Sequence, residues 1–350
     1  MLSEEKINML DRRIAELLAG EGIVGCSVAL TDRDGLLYSR GFGLRVVEDK
    51  GTYSTPESVY RAASVTKVVT GMLAMRLAEE GRLELDAPVI GYLPWLTLKD
   101  ESAARTMTLR HLLTHRSGLP TEYTPEGPLD EGMLLPSLKE GLPTLELIGA
   151  PSEKYLYSNW GIRLLSAALE AVMGERYSSL AERYILSPIG MKDSAFVQRP
   201  DMLPRLSMPH EKDEKGAPVS QKRIKENHCR LATGGLYSTA TDLSRLARVI
   251  LRGGTADSGE RIIERSSLEE MMREVTHHKS GNGYGIAMQL HPIEGTSTVL
   301  YGHCGSANPY ATAMFADPES GFAATVLLNT YSENLRYNIC DLMIKIAADL

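Results

Sequence analysis

The chain has 350 residues with 45 acidic against 38 basic side chains, a net charge of −7. It can bury one large core or two smaller ones, and its acidity argues against nucleic acid or an anionic membrane surface as the main partner. No apolar run approaches the roughly 20 residues that a membrane-crossing helix requires.

The first ten residues carry early acidic charge in place of the basic start and apolar centre of a signal peptide, so the expected location is cytoplasmic. Cys26, Cys229, Cys304 and Cys340 stand far apart with no Cys-x-x-Cys pair, which predicts reduced thiols and no structural zinc. The histidines include no His-Glu-x-x-His, and no glycine pattern of a dinucleotide or phosphate loop occurs. The expectation is a protein with no metal and no cofactor.

Residues 4–19 place Ile7, Leu10, Ile14, Leu17 and Leu18 on one side of an amphipathic helix. Two strands, Ile23–Leu30 and Leu36–Gly43, follow across the turn Asp32-Arg33-Asp34-Gly35. From Ser64 to about Val275 the pattern is mainly helical, over 64–80, 108–115, 160–173, 175–186, 240–252 and 266–275. Strands return at Thr298–His303, Tyr310–Phe315 and Phe322–Asn329, and Asn334–Ala348 closes the chain as a helix. Strands at both ends around a helical middle predict an α/β (α+β) fold: one antiparallel sheet built from both termini, flanked by the terminal helices. The expected division is a single domain, 1–350, with an α/β lobe at about 1–60 and 280–350 and a helical lobe at about 61–279. Two Pro/Gly-rich stretches, Thr121–Pro143 and Arg199–Ala217, read as irregular and serve either as substrate-shaping loops or as solvated linkers.

Three short motifs can carry chemistry. In Ser64-Val-Thr-Lys67 the helical rise brings i and i+3 onto one face, so Lys67 can reach back to the Ser64 hydroxyl at a helix start that favours negative charge. The spacing alone is weak, since Ser3-Glu-Glu-Lys6 repeats it and reads as a capped, solvated helix start. Tyr157-Ser158-Asn159 precedes the helix beginning near Trp160. A phenol can accept and return a proton, and an amide can orient Lys67 and a substrate. The plainer interpretation is an N-cap beside a packed tyrosine. His303-Cys304-Gly305-Ser306 ends the strand from Thr298, where Gly305 admits close backbone approach and the Ser306 N–H can join that of Ser64 as an oxyanion hole. His303 and Cys304 are strand neighbours and point to opposite faces, which makes them a poor dyad. A rival third motif is Lys279-Ser280-Gly281, in the polar stretch His277–Gly285 that shows no strand alternation.

The three motifs in this order resemble the serine β-lactamase and penicillin-recognising hydrolase superfamily. The similar branch comprises class C β-lactamases, D,D-carboxypeptidases, D-aminopeptidases and related esterases. Leu112-Leu-Thr-His-Arg-Ser-Gly-Leu119 and Gly234-Gly-Leu-Tyr-Ser-Thr-Ala-Thr-Asp-Leu243 are also typical of that branch, and the likeness covers nearly the whole chain. It implies a β-lactamase/transpeptidase-like fold in which Ser64 forms an acyl-enzyme and Lys67 and Tyr157 share the proton transfers. Asn159, His303, Gly305 and Ser306 would bind substrate. His303 stands where β-lactamases of the branch carry lysine, to contact a substrate carboxylate or shape the strand edge, and Ser306-Ala-Asn308-Pro departs from the usual further glycine. The expected activity is a D-stereospecific peptidase or carboxylesterase acting on a small amide, ester or short D-amino-acid peptide. A class C-like β-lactamase is the second expectation, and a ligand-binding protein that does not turn over is the third. Oligomeric state is left open.

Overall fold

The computed structural model describes residues 2–121, 130, 132–222, 226–277 and 282–350. The first helix, Glu4–Glu21, starts on Ser3, whose hydroxyl accepts the Lys6 N–H at 3.3 Å, and ends at Gly22 in the left-handed conformation, φ 67°. Ser3 and Lys6 are thus an N-cap and its helix. Leu10, Ile14 and Leu18 form the buried stripe.

Among the described residues one antiparallel sheet of eight strands forms the backbone of the fold. Its order is Leu36–Gly43, Gly25–Thr31, Phe322–Leu328, Tyr310–Asp317, Val299–Ala307, Gln289–Pro292, Gly283–Tyr284 and Thr276–His277. Cys26 lies opposite Leu328, and Ala311 opposite Leu328 from the other side, so both ends of the chain meet at the centre of the sheet. Alternate residues separate the two faces. Val28, Leu30 and Val326 pack against the first helix and the closing helix Leu335–Ala348, while Ala29, Leu327 and Met314 belong to the larger core shared with the helical middle. Burial on both faces gives the central strands their near-continuous apolar runs.

The structure differs from the sequence expectation in several places. The stretch 277–285 contributes to two strands, Thr276–His277 and Gly283–Tyr284; two residues are too few to show alternation, and full burial of Tyr284 marks the second. Within Thr121–Pro143 the chain forms the helix Leu134–Gly141, which buries Leu134 and Leu138; Pro136 is tolerated because it lies in the first turn. Arg199–Ala217 holds the turn Leu203–Arg205 and the strand His210–Lys212, which pairs with Pro218–Ser220. The strand carrying His303 continues to Ala307, so the third motif lies within it. Among the described residues no helix is long and apolar enough to cross a membrane.

Candidate active site

Strand Tyr60–Arg61, paired with Tyr237–Ser238, delivers the chain to Ala62 and Ala63. Ala63 has φ 50°, a left-handed conformation that costs a non-glycine residue free energy. It opens a single 3₁₀ turn, Ala63–Val65, that runs directly into the helix Thr66–Glu79. Ser64 therefore sits on this turn and not on the α-helix itself. Its N–H belongs to a first turn, for which a helix supplies no acceptor.

Lys67 is completely buried on the first turn of the helix. Its Nζ donates to Ser64 Oγ at 3.1 Å, Asn159 Oδ1 at 2.9 Å and the Thr233 carbonyl at 2.7 Å. Three acceptors match the three N–H bonds of an ammonium, which is how a cation can sit in an apolar helix bed. Tyr157 lies one residue before Ser158, the N-cap of the helix Asn159–Met173, whose Oγ accepts the Gly161 N–H at 3.2 Å. The cap thus holds the tyrosine in place, and its hydroxyl donates to Ser64 Oγ at 2.9 Å. The Lys67 Nζ stands 4.9 Å from the Tyr157 ring centre. Ser64, Lys67, Tyr157 and Asn159 are brought together as one hydrogen-bonded group.

Behind Tyr157 lies a residue that the sequence reading did not single out. His115 is fully buried, adopts φ 54°, and its Nδ1 accepts the Ser158 N–H at 3.1 Å. Its ring centre is 4.3 Å from that of Tyr157 and 4.9 Å from that of Tyr284. Burial, then the charge of Lys67, holds its pKa well below the ordinary imidazole value, so it is neutral. Its place in Leu112-Leu-Thr-His-Arg-Ser-Gly-Leu119, a segment already marked by the family resemblance, was the available signal.

The third side is the strand Val299–Ala307. Residues Val299 to Gly302 pair with Gln289–Pro292, and beyond them this edge opens. The Cys304 N–H points to that side, donating to Gln289 Oε1 at 2.9 Å, and the Ser306 N–H, two residues on, points the same way past the end of the neighbouring strand. Gly305 is demanded by contact: a Cβ there would lie 2.4 Å from Thr312 Oγ1, 2.6 Å from the Ala62 carbonyl and 2.9 Å from Ala63 Cβ. The close approach it allows is therefore that of the Ser64 turn, where the sequence suggested a substrate backbone. Arg336, on the closing helix and also missed from sequence, ties this strand from behind, donating from Nη1 to the Gly305 carbonyl and to Ser306 Oγ, both at 2.7 Å.

His303 is 1% exposed. Its Nδ1 contacts the Cys304 carbonyl at 2.5 Å and its Nε2 the Tyr284 hydroxyl at 3.2 Å. A carbonyl only accepts, so Nδ1 carries the proton and Nε2 receives the phenol. Burial, with Lys67 adding repulsion, pushes the pKa down to about 3. Where a cation was one expectation, the position is a neutral imidazole with both nitrogens engaged by the protein. Cys304 faces the opposite side, its sulfur accepting from the Tyr337 hydroxyl at 2.7 Å. Lys279-Ser280-Gly281 lies outside the described residues.

Two cavities flank the group. One of about 450 Å³ is lined by Ser64 and Asn159 with Arg61, Arg230, Ser306 and Asn308. The other, about 760 Å³, is lined by Tyr157, Tyr155, Tyr284, Glu294, Glu333 and Asp341. Among the described residues no group of three or more His, Cys, Asp or Glu is placed to hold a metal ion.

The sheet, its flanking helices and the inserted helical part make this a β-lactamase/transpeptidase-like fold, with a serine, a lysine and a tyrosine meeting at a helix start beside a sheet edge. The chain belongs to the beta-lactamase family, which it matches over residues 10–348. It is 28% identical over 289 residues to penicillin-binding protein 4 of Amycolatopsis lactamdurans, covering 80% of this chain and 74% of the relative. It is 26% identical over 358 residues to the D-alanyl-D-alanine-carboxypeptidase/endopeptidase AmpH of Escherichia coli K12, covering 98% and 90%. Among solved structures, the octameric penicillin-binding protein homologue from Pyrococcus abyssi superposes with a TM-score of 0.83 at 27% identity, over 98% of this chain and 77% of that one. The D-amino acid amidase of Ochrobactrum anthropi SV3 shares the fold, with a TM-score of 0.81 at 22% identity over 97% and 99% of the two chains. The family is one of serine hydrolases of the β-lactamase and penicillin-binding type.

Proposed function

We propose that this chain is a serine hydrolase that cleaves a small amide or ester through an acyl-Ser64 intermediate, as a D-stereospecific peptidase or carboxylesterase. The observation that carries the proposal is the convergence of Lys67 Nζ and the Tyr157 hydroxyl on Ser64 Oγ, at 3.1 and 2.9 Å. An isolated serine is a weak nucleophile, and two proton-handling groups in contact with its oxygen meet that need.

In this mechanism the reactive form of the Lys67–Tyr157 pair holds one proton fewer than the fully protonated pair, and Ser64 Oγ attacks the carbonyl carbon as its proton fills that vacancy. The oxyanion forms against the N–H groups of Ser64 and Ser306. Tyr157 returns the proton to the departing nitrogen or oxygen, the carbon–leaving-group bond breaks, and acyl-Ser64 remains. Water then attacks the ester, losing its proton to the same pair, and Ser64 is restored. Asn159 orients Lys67, and His303, Gly305 and Ser306 shape the strand edge along which substrate lies. Both lobes supply parts of the site, so the whole chain, 1–350, acts as one catalytic unit.

The neutral, internally bonded His303 favours this reading over a β-lactamase, which must bind the carboxylate of its substrate next to the reacting bond. The relative AmpH, named for D-alanyl-D-alanine-carboxypeptidase and endopeptidase activity, supports a D-peptide class. Steady-state profiling tests the proposal with D- and L-amino-acid p-nitroanilides, p-nitrophenyl esters, a penicillin and a cephalosporin. Turnover of D-anilides or esters well above that of the β-lactams is expected. The reverse order would make the chain a β-lactamase, and turnover of none of them would favour a binding protein.

A further inference from the structure

The cavity beside Ser64 has a charge that the acyl-transfer chemistry does not use. Arg61 lines it and is only 8% exposed. Among the described residues the sole hydrogen bond of its guanidinium runs from Nε to the Gly234 carbonyl at 3.0 Å, and no carboxylate lies in ion-pair range. A buried guanidinium normally has an anion, because removing it from water without one is costly. Arg230 adds a second cation to the same lining, and no acidic residue is among those lining it.

Tyr157 separates the two ends of the cleft. It lines the larger cavity, with Glu294, Glu333 and Asp341, whereas Ser64 and Asn159 line the smaller one. A group that returns a proton to the leaving atom must stand on the leaving group's side. The acyl part of the substrate then falls on the arginine side and the leaving group on the acidic side.

We propose that the Arg61 cavity is the acyl subsite and that the Arg61 guanidinium binds a carboxylate at the far end of the acyl chain. The substrate class is thus an amide or ester of an acid that carries a second, free carboxylate, with a neutral or cationic leaving group. The planar fork of arginine offers two parallel N–H bonds to such a group. This assignment rests on the acyl-Ser64 reading above.

A matched pair of esters tests it in the unaltered protein: p-nitrophenyl hydrogen glutarate and p-nitrophenyl methyl glutarate, which differ only in capping of the distal carboxylate. The expected kcat/KM ratio is about tenfold or more in favour of the acid, a charge-assisted contact's worth. The ratio should narrow with added salt and collapse in Arg61→Gln, with partial recovery in Arg61→Lys. Equal rates, or preference for the methyl ester, would overturn the subsite while leaving the hydrolase reading intact. If neither ester turns over, the hydrolase reading is left to the wider substrate panel, and calorimetry on the Ser64→Ala protein decides the cavity separately. Monomethyl glutarate binding about tenfold or more tighter than dimethyl glutarate would uphold the anion site, and equal binding would overturn it.

Discussion

The Tyr157 hydroxyl donates to Ser64 Oγ at 2.9 Å, although the two residues are 93 positions apart in the chain. Each is fixed by a different local device. Ser64 is set by the left-handed residue Ala63 and the 3₁₀ turn it opens, and Tyr157 by the Ser158 cap and the His115 ring behind it. Lys67 joins the two and takes Asn159 as a further partner.

Removal of either member of the Ser64–Lys67 pair should abolish turnover. Ser64→Ala and Lys67→Ala are each expected to lower kcat by about 10³-fold or more, as when an activated nucleophile loses its oxygen or its partner. Ser3→Ala, at the equivalent spacing in the first helix, should leave kcat unchanged and cost about 1 kcal/mol as a lost N-cap. Steady-state rates and urea unfolding on the three proteins separate these outcomes.

Tyr157→Phe removes one hydroxyl and keeps the ring against His115. The expected loss is about 10²–10⁴-fold in kcat, the usual worth of a positioned proton-transfer group. The thermal midpoint should change little, because the 4.3 Å ring contact survives. A variant with normal kcat would remove Tyr157 from the proton path.

Gly305→Ala tests how closely the strand must approach the nucleophile turn. The new methyl would lie 2.6 Å from the Ala62 carbonyl, a contact that neither backbone can relieve without moving apart. A destabilisation of about 1–3 kcal/mol is expected from overpacking. A misplacement of about 1 Å between Ser64 and the Ser306 N–H would cost about 10²-fold in rate. Unfolding curves and kcat/KM check both.

Stability should fall with pH between ordinary imidazole titration and the depressed native value. Folded His303 has its pKa pushed down to about 3, so below pH 6.5 the unfolded chain takes a proton that the folded one refuses. Its contribution is complete above that point and declines as the pH falls, with a limiting slope of about 1.4 kcal/mol per pH unit. Urea midpoints at pH 5 and pH 7.5 should differ less in His303→Gln than in the parent chain. Equal differences would mean that His303 is not held neutral.

Much of the architecture was written in periodicity. Val68, Met72, Met75 and Leu77 repeat at helical spacing and are all buried, and the long strands at both ends show the apolar runs of sheet buried on two faces. Strands of two residues carry no period, which is why Gly283–Tyr284 was not foreseen. No spacing relates Ser64 to Tyr157, so their meeting came only through family resemblance. Arg61, Arg336 and His115 were missed for another reason. Each is a polar residue whose placement depends on distant partners, such as the carbonyls of Gly234 and Gly305.

The central claim, an acyl-Ser64 intermediate, is met most directly by intact-mass spectrometry of the protein mixed with p-nitrophenyl butyrate, with nitrophenolate release counted in parallel. The prediction is one butyryl group per chain, mapped to the peptide containing Ser64 and absent in Ser64→Ala, with release far beyond one equivalent. Release without any adduct at Ser64 under rapid quench, or release undiminished in Ser64→Ala, would contradict it.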